Sequence, residues 1–193
     1  LGYNQPEMQF EFGSSDKYGS FVKTLTTYDL PAGSIPLLES SVGVRFDYMA
    51  DRGWGYGGLF NYLYEDSLAG KVDYYTVPSD DGQDADKYEL GETNRWRFKY
   101  THSQDIPEGF EFDIEFQKDS DAGFTQEYFT KDYRSGKPIE NRAYLKWSRG
   151  PLGAYFHVRT QPDDWLDTTE HLPQVGVDLL SYPILGPLLY SAN

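Results

Sequence analysis

The stretch Arg95–Lys118 constrains this chain more than any other. In Arg95-Trp96-Arg97-Phe98-Lys99-Tyr100-Thr101-His102 every second side chain is aromatic, and the intervening ones are mostly cationic. In Phe110-Glu111-Phe112-Asp113-Ile114-Glu115-Phe116-Gln117-Lys118 apolar residues alternate with carboxylates and an amide. Strand side chains point to opposite faces with a period of two, so each run has one greasy face and one charged face. Paired as a hairpin across Ser103–Gly109, the cations Arg95, Arg97 and Lys99 would face Glu111, Asp113 and Glu115 as favourable cross-strand partners. Trp96, Phe98, Phe110, Phe112, Ile114 and Phe116 would form the opposite face. A sheet so divided suits a sandwich or a membrane barrel with a wet interior.

Charge removes one class of partner. The 193 residues carry a formal net charge of -14, and phosphate backbones reward Lys and Arg, so no nucleic acid is expected to bind. Aromatics make up 17% of the chain, with 17 Tyr, 12 Phe and 4 Trp, while Cys is absent. A disulfide framework and a thiolate metal site are thereby excluded within these residues. No basic segment followed by an apolar core opens the chain, so no signal peptide is read at Leu1. No apolar run approaches the roughly 18 residues of a membrane helix. Average hydropathy is blind to a membrane strand, which needs apolar residues only at alternate positions over about ten residues.

Nearly everything reads as strand and turn. Strands are expected over Met8–Phe12, Gly19–Tyr28, Ser40–Ala50, Trp54–Glu65, Gly70–Val77, Arg95–Ser103, Phe110–Lys118, Asn141–Ser148, Leu152–Thr160 and Pro173–Leu180, with another beginning near Leu188. Val42, Val44, Phe46 and Tyr48 alternate with Gly43, Arg45 and Asp47; Leu152, Ala154, Phe156 and Val158 alternate with Gly153, Tyr155, His157 and Arg159. Connections come in two sizes. Asp51-Arg52-Gly53, Ser103–Gly109 and Arg149-Gly150-Pro151 are short; Pro78–Asn94, Asp119–Glu140 and Gln161–Leu172 are long. Short turns alternating with long loops on long strands is the pattern of an outer-membrane barrel, broken once, at Asp66–Ala69. Residues 1–193 read as a single domain.

Motifs for chemistry are sparse. Gly53, Gly55 and Gly58 match G-x-G-x-x-G, but the glycines interleave with Trp54 and Tyr56 and lead into strand, where a dinucleotide site needs a helix. They read instead as room beside large aromatics on a neighbouring strand. The acidic run Asp80–Asp86 lacks the EF-hand spacing and reads as a solvated loop, with a weak divalent-cation site as the alternative. Asp163, Asp164, Asp167 and Glu170 surround Trp165, the residue types of a glycosidase, and also those of any acidic loop. His102, His157 and His171 lack metal-ligand spacing. No catalytic residues, no cofactor and no metal are assigned.

The order of these elements resembles the outer-membrane LPS-assembly family, LptD, also called the organic solvent tolerance family. The resemblance rests on Asp51-Arg52-Gly53, Asn61-Tyr62-Leu63-Tyr64, Val72-Asp73-Tyr74-Tyr75, Pro78-Ser79-Asp80, Asn94-Arg95-Trp96-Arg97-Phe98, Tyr100-Thr101-His102-Ser103, Lys118-Asp119-Ser120-Asp121, Tyr128-Phe129, Asp132-Tyr133 and Leu172-Pro173-Gln174-Val175. It covers Asp47–Tyr133 best, extends through Asn193 and is thin before Ser40. It implies an all-β fold of antiparallel up-and-down transmembrane β-barrel strands, an incomplete segment from the amino-terminal part of a larger barrel. It also implies location in the cell outer membrane, without catalysis, and insertion of lipopolysaccharide into the outer leaflet. The implied partners are lipopolysaccharide, the plug lipoprotein LptE, the periplasmic bridge protein LptA and outer-membrane lipid. The family's periplasmic jelly roll, its remaining strands and its cysteines would lie outside this piece. Pro31 and Pro36 are candidates for strand-weakening prolines near its gate.

Two faces follow from that reading. Trp96, Phe98, Phe110, Phe112, Ile114, Phe116 and Phe156 are the lipid-facing candidates. Arg95, Arg97, Lys99, Glu111, Asp113, Glu115 and Arg159 are the lumen-facing ones, as an ion-pair ladder or as a polar wall for a charged head group. The rivals are a soluble β-sandwich binding carbohydrate on an aromatic platform, and another barrel such as a porin or small-molecule transporter.

Overall fold

In the computed structural model, residues 5–80, 94–137, 139–163, 165, 171–185 and 188–192 are described, and beyond residue 170 side chains are described only for residues 173–179. Eleven strands pair in sequence order in one antiparallel sheet: β1 (Glu7–Ser15), β2 (Gly19–Asp29), β3 (Glu39–Met49), β4 (Gly53–Tyr64), β5 (Leu68–Val77), β6 (Arg95–Ile106), β7 (Phe110–Asp119), β8 (Asn141–Arg149), β9 (Leu152–Thr160), β10 (His171–Leu185) and β11 (Leu188–Ala192). The topology is up-and-down throughout. Among the described residues β1 and β11 do not pair, so the sheet is open. All eleven expected strands are present, because period-two alternation and turn residues are local signals.

The hairpin register differs from the expected one. β6 continues through Ser103-Gln104-Asp105-Ile106, and the turn is confined to Pro107-Glu108-Gly109. Glu108 and Gly109 both take positive φ, 70° and 88°, which lets the chain reverse within three residues. Glu111 therefore faces Asp105, Asp113 faces Ser103 and Glu115 faces Thr101, while Arg97 faces Asp119 and Lys99 faces Gln117. The ladder of Arg95, Arg97 and Lys99 against Glu111, Asp113 and Glu115 does not form. Polarity made Ser103–Asp105 resemble a loop, yet Gln104 and Ile106 keep the alternation going.

The rims also differ from the expected arrangement. Connections 65–67, 107–109 and 150–151 share one end of the sheet, and 78–94, 120–140 and 161–170 share the other. The exceptions are thus the turns at residues 16–18 and 50–52, short connections on the long-loop end, and the longer connection 30–38 on the other, and not Asp66–Ala69. The long connection after β7 holds two short helices that the sequence did not announce, α1 (Phe124–Tyr128) and α2 (Thr130–Arg134). This segment folds back over one face of the sheet. Phe124 packs with Met49, Tyr75 and Val77 in the buried core, and Tyr18, Phe21, Tyr128 and Phe129 close around it. The core therefore lies on the charged side of the sheet, at the long-loop end.

Candidate functional site

Pairing registers sort the side chains into two faces. Phe46, Tyr56, Thr76 and Trp96 lie in one cross-strand row, and Val42, Phe60, Val72, Tyr100 and Phe116 in another. This aromatic face is bare: Val44 is 60% exposed, Phe46 49%, Trp54 46% and Val175 76%. Trp54 packs against Phe46 and Tyr48 at centroid distances of 4.9 and 4.8 Å near the long-loop end. Toward the other end the Tyr62 hydroxyl meets His102 Nδ1 at 2.8 Å and the Tyr100 hydroxyl at 3.2 Å. Trp96, Phe98, Phe110, Phe112, Ile114, Phe116 and Phe156 all lie on this face.

The polar face is covered at the long-loop end. Arg95, 1% exposed, is its most buried cation. Its guanidinium grips Asp121 with two bonds, Nε to Oδ2 at 2.9 Å and Nη2 to Oδ1 at 2.8 Å. Nη1 reaches Asp80 at 2.7 Å and Glu127 at 2.5 Å. Arg52 joins the same carboxylates, 3.3 Å from Asp80 and 3.7 Å from Glu127. The Tyr128 hydroxyl donates to Asp80 at 2.7 Å, and the Tyr18 hydroxyl donates to the Glu127 carbonyl. Four connections of the long-loop end meet at this cluster: the turns at 16–18 and 50–52, the chain after β5, and the segment after β7. Burial of ions is tolerated here because each is paired with at least one opposite charge and hydrogen-bonded to it.

A second network adjoins it. Arg97 donates to Asp132 of α2 at 2.7 Å, lies 3.6 Å from Asp73, and stacks on Phe129 with 3.2 Å from its central carbon to the ring centroid. Arg45 holds the same Asp73 through two bonds, of 2.5 and 3.2 Å. Asp47 accepts from the Thr24 amide at 2.9 Å and from the Tyr75 hydroxyl at 2.7 Å. Tyr75 lies flat over Gly55, where any Cβ would overlap its ring. Of the G-x-G-x-x-G glycines only Gly55 makes room for Tyr75, with Gly57 as the second such glycine; a Cβ at Gly53 would meet the Ser79 carbonyl and one at Gly58 nothing within 4 Å. Strand follows them.

Arg95, Arg97, Lys99, Glu111, Asp113, Glu115 and Arg159 share the polar face, with partners other than each other. Glu115 takes Lys137 at 2.5 Å and Arg142 at 3.5 Å. Glu111 takes Lys146 at 2.9 Å, and Arg159 takes Glu140 at 2.6 Å. Lys99 and Asp113 have no ion pair among the described residues. Sequence reasoning missed Asp73, Asp121, Glu127 and Asp132 because the segment after β7 supplies three of them and a diagonal position on β5 the fourth. Such partners leave no spacing signal.

The remaining candidates take structural places or lie outside the described residues. Asp80 is no solvated loop residue, being 2% exposed and bound to two arginines; residues 81–86 lie outside the described ones. Asp163 is buried and pairs with Lys118 at 3.1 Å, beside exposed Trp165; Asp164, Asp167 and Glu170 lie outside the described residues, as does the His171 side chain. His157 packs edge-on against Tyr144 on the polar face. Among the described residues no group of three or more His, Asp or Glu is placed to hold a metal ion. No described helix is long and apolar enough to cross a membrane, which says nothing of crossing by strands. The network can hold loops in place and present a charged surface. A scan against protein-family models finds no match to this chain, and a search of curated proteins finds none either.

Proposed function

We propose that the chain is a segment of an outer-membrane β-barrel of the LPS-assembly LptD family, carrying lipopolysaccharide to the outer leaflet. One observation carries the membrane part of this reading: the apolar face is bare, while the charged face is covered at the long-loop end. Water favours the opposite arrangement, since each Å² of apolar surface left wet forfeits about 25 cal/mol. A contiguous exposed aromatic sheet marks a surface made for another apolar phase. Hydrocarbon suits it, provided every backbone group is paired within a sheet. β2 to β7 have 10–12 residues each, and a tilted membrane strand needs about 9–11. Aromatic clusters near both ends, Tyr48 with Trp54 and Tyr62 with Tyr100, fit interfacial girdles.

The carbohydrate-binding sandwich requires a second sheet over the aromatic face, and the described strands form one sheet. For the cargo, the support is the order of motifs from Asp51 to Val175. LptE, LptA and outer-membrane lipid are the partners that follow from it, and a porin differs only in cargo. The test is refolding of this chain with and without detergent, followed by circular dichroism and light scattering. A strand spectrum confined to detergent is the expected result; a soluble monomer in plain buffer overturns the barrel. Photo-crosslinking from the polar face to radiolabelled lipopolysaccharide in cells then separates this cargo from a porin's.

A further inference from the structure

Residues 120–137 cross the polar face as a strap. Each helix in it has five residues, and neither N-cap side chain closes a hydrogen bond. A helix that short does not persist alone. Several sets of contacts hold it down, Arg97 with Asp132 and Lys137 with Glu115 among them, and two meet at the long-loop end. One is apolar, Phe124, Tyr128 and Phe129 against Met49, Tyr75 and Val77. The other is Arg95, which joins Asp121 and Glu127 of the strap to Asp80. Three buried carboxylates share two guanidiniums, Arg95 and Arg52, so losing either cation strands negative charge. The strap also forms one wall of a cleft of about 550 Å³, in which Phe129 and Asp132 face Lys23, Arg45, Asp47 and Tyr75.

We infer that Arg95 is a lock: it decides whether the strap lies on the polar face, and so whether this cleft is walled, while the sheet stands without it. The physical basis is an asymmetry. A buried ion cluster adds little over an apolar replacement, but breaking it from one side is costly. Such a cluster has two well-separated states, engaged and released, which is what a latch requires. β8 lies two strands from β6, and its ladder with β9 runs from Asn141–Thr160 to Arg149–Leu152, so release leaves that ladder intact. In a closed barrel the strap would narrow the lumen at the long-loop end. The lock itself does not depend on the barrel reading.

Amide hydrogen exchange on the full chain tests it, with limited trypsin digestion at Lys131 and Arg134 as a second readout. In Arg95→Gln, exchange at Glu127, Phe129 and Tyr133, whose amides bond within the strap, is expected to accelerate at least about a hundredfold, the lower end for an uncompensated buried charge. Cleavage at Lys131 and Arg134 rises in parallel, and amides of β8 and β9 keep their protection. Arg95→Gln combined with Asp121→Asn and Glu127→Gln removes the stranded charge and is expected to restore most of the protection. Unchanged strap exchange in the single variant overturns the lock. So does loss of protection in β8 and β9, which would make the cluster part of the sheet's core. Failure of the triple variant to recover assigns the attachment to shape instead of charge, and also overturns it. The readout is local to the strap in whichever medium the strand spectrum appears, so it fails independently of the barrel reading.

Discussion

The Tyr75 hydroxyl donates a 2.7 Å hydrogen bond to Asp47 Oδ2 across an entire intervening strand. Tyr75 lies beside Gly57, and Asp47 beside Gly55, so the phenol spans β4 where that strand has no side chain. Gly55 and Gly57 of β4 are therefore a channel for one aromatic ring.

Gly55→Ala should displace Tyr75 and break this bond, costing about 1–3 kcal/mol, the range for stranding a buried polar group. Tyr75→Phe should cost about as much. The double variant should cost clearly less than the sum, because both remove one interaction. Urea unfolding of the four proteins measures the coupling, and strict additivity would mean that Gly55 acts on something other than Tyr75.

The two faces should respond oppositely to one chemical change. Ile114→Arg puts a cation on the bare aromatic face, costing about 2–4 kcal/mol at the bilayer midplane of a barrel. Asp113→Arg puts the same cation on the polar face, opposite Ser103 and Tyr144. Heat-modifiable mobility and yield in detergent should fall for Ile114→Arg and hold for Asp113→Arg. Glu115 is a poorer control, because Lys137 and Arg142 already surround it.

Ion pairs on the polar face should differ sharply in worth. Arg97, 2% exposed, leaves Asp73 and Asp132 when changed to Gln; Arg45 still holds Asp73 and the Asp132 side chain is 47% exposed, so the loss should fall below the about 3–5 kcal/mol of a fully buried pair broken on one side. Lys146→Gln breaks the solvent-exposed pair with Glu111 and should leave the unfolding midpoint essentially where it was. Equal effects in chemical denaturation would mean that both pairs are equally hydrated.

Alkali should release the strap late. Burial, with the Glu127 charge adding to it, pushes the Tyr18 phenol up to about 12. Burial and the neighbouring Asp80 push Tyr128 up as well. A raised phenol pKa favours the folded state fully below the ordinary value of about 10. That stability is lost as pH rises through the folded value. Protection of strap amides should hold to about pH 10 and fall toward pH 12, with Tyr128→Phe flattening the fall. A loss already complete near pH 9 would place these phenols in water.

The strands and both faces were legible because alternation is written residue by residue. Val42 to Tyr48 and Phe110 to Phe116 needed no knowledge of their neighbours to be read as two-faced strands. The hairpin register was not legible. Ser103-Gln104-Asp105 has loop composition, and only its pairing with β5 and β7 keeps it in the sheet. Asp80 was misread for the same reason: an acidic residue beside an acidic run reads as solvated until its cation is known.

By itself, the sequence determined eleven strands, their division into an aromatic and a charged face, and the absence of any thiol chemistry, because these depend on local periodicity and residue type alone. Only the tertiary structure decided that Arg95 is neutralised by Asp80, Asp121 and Glu127, that Arg97 meets Asp73 and Asp132, and that the segment after β7 covers the charged face. Those partners are 15–35 residues away along the chain. Electrostatic energy depends on distance in space and on burial, and neither can be read from spacing in the chain.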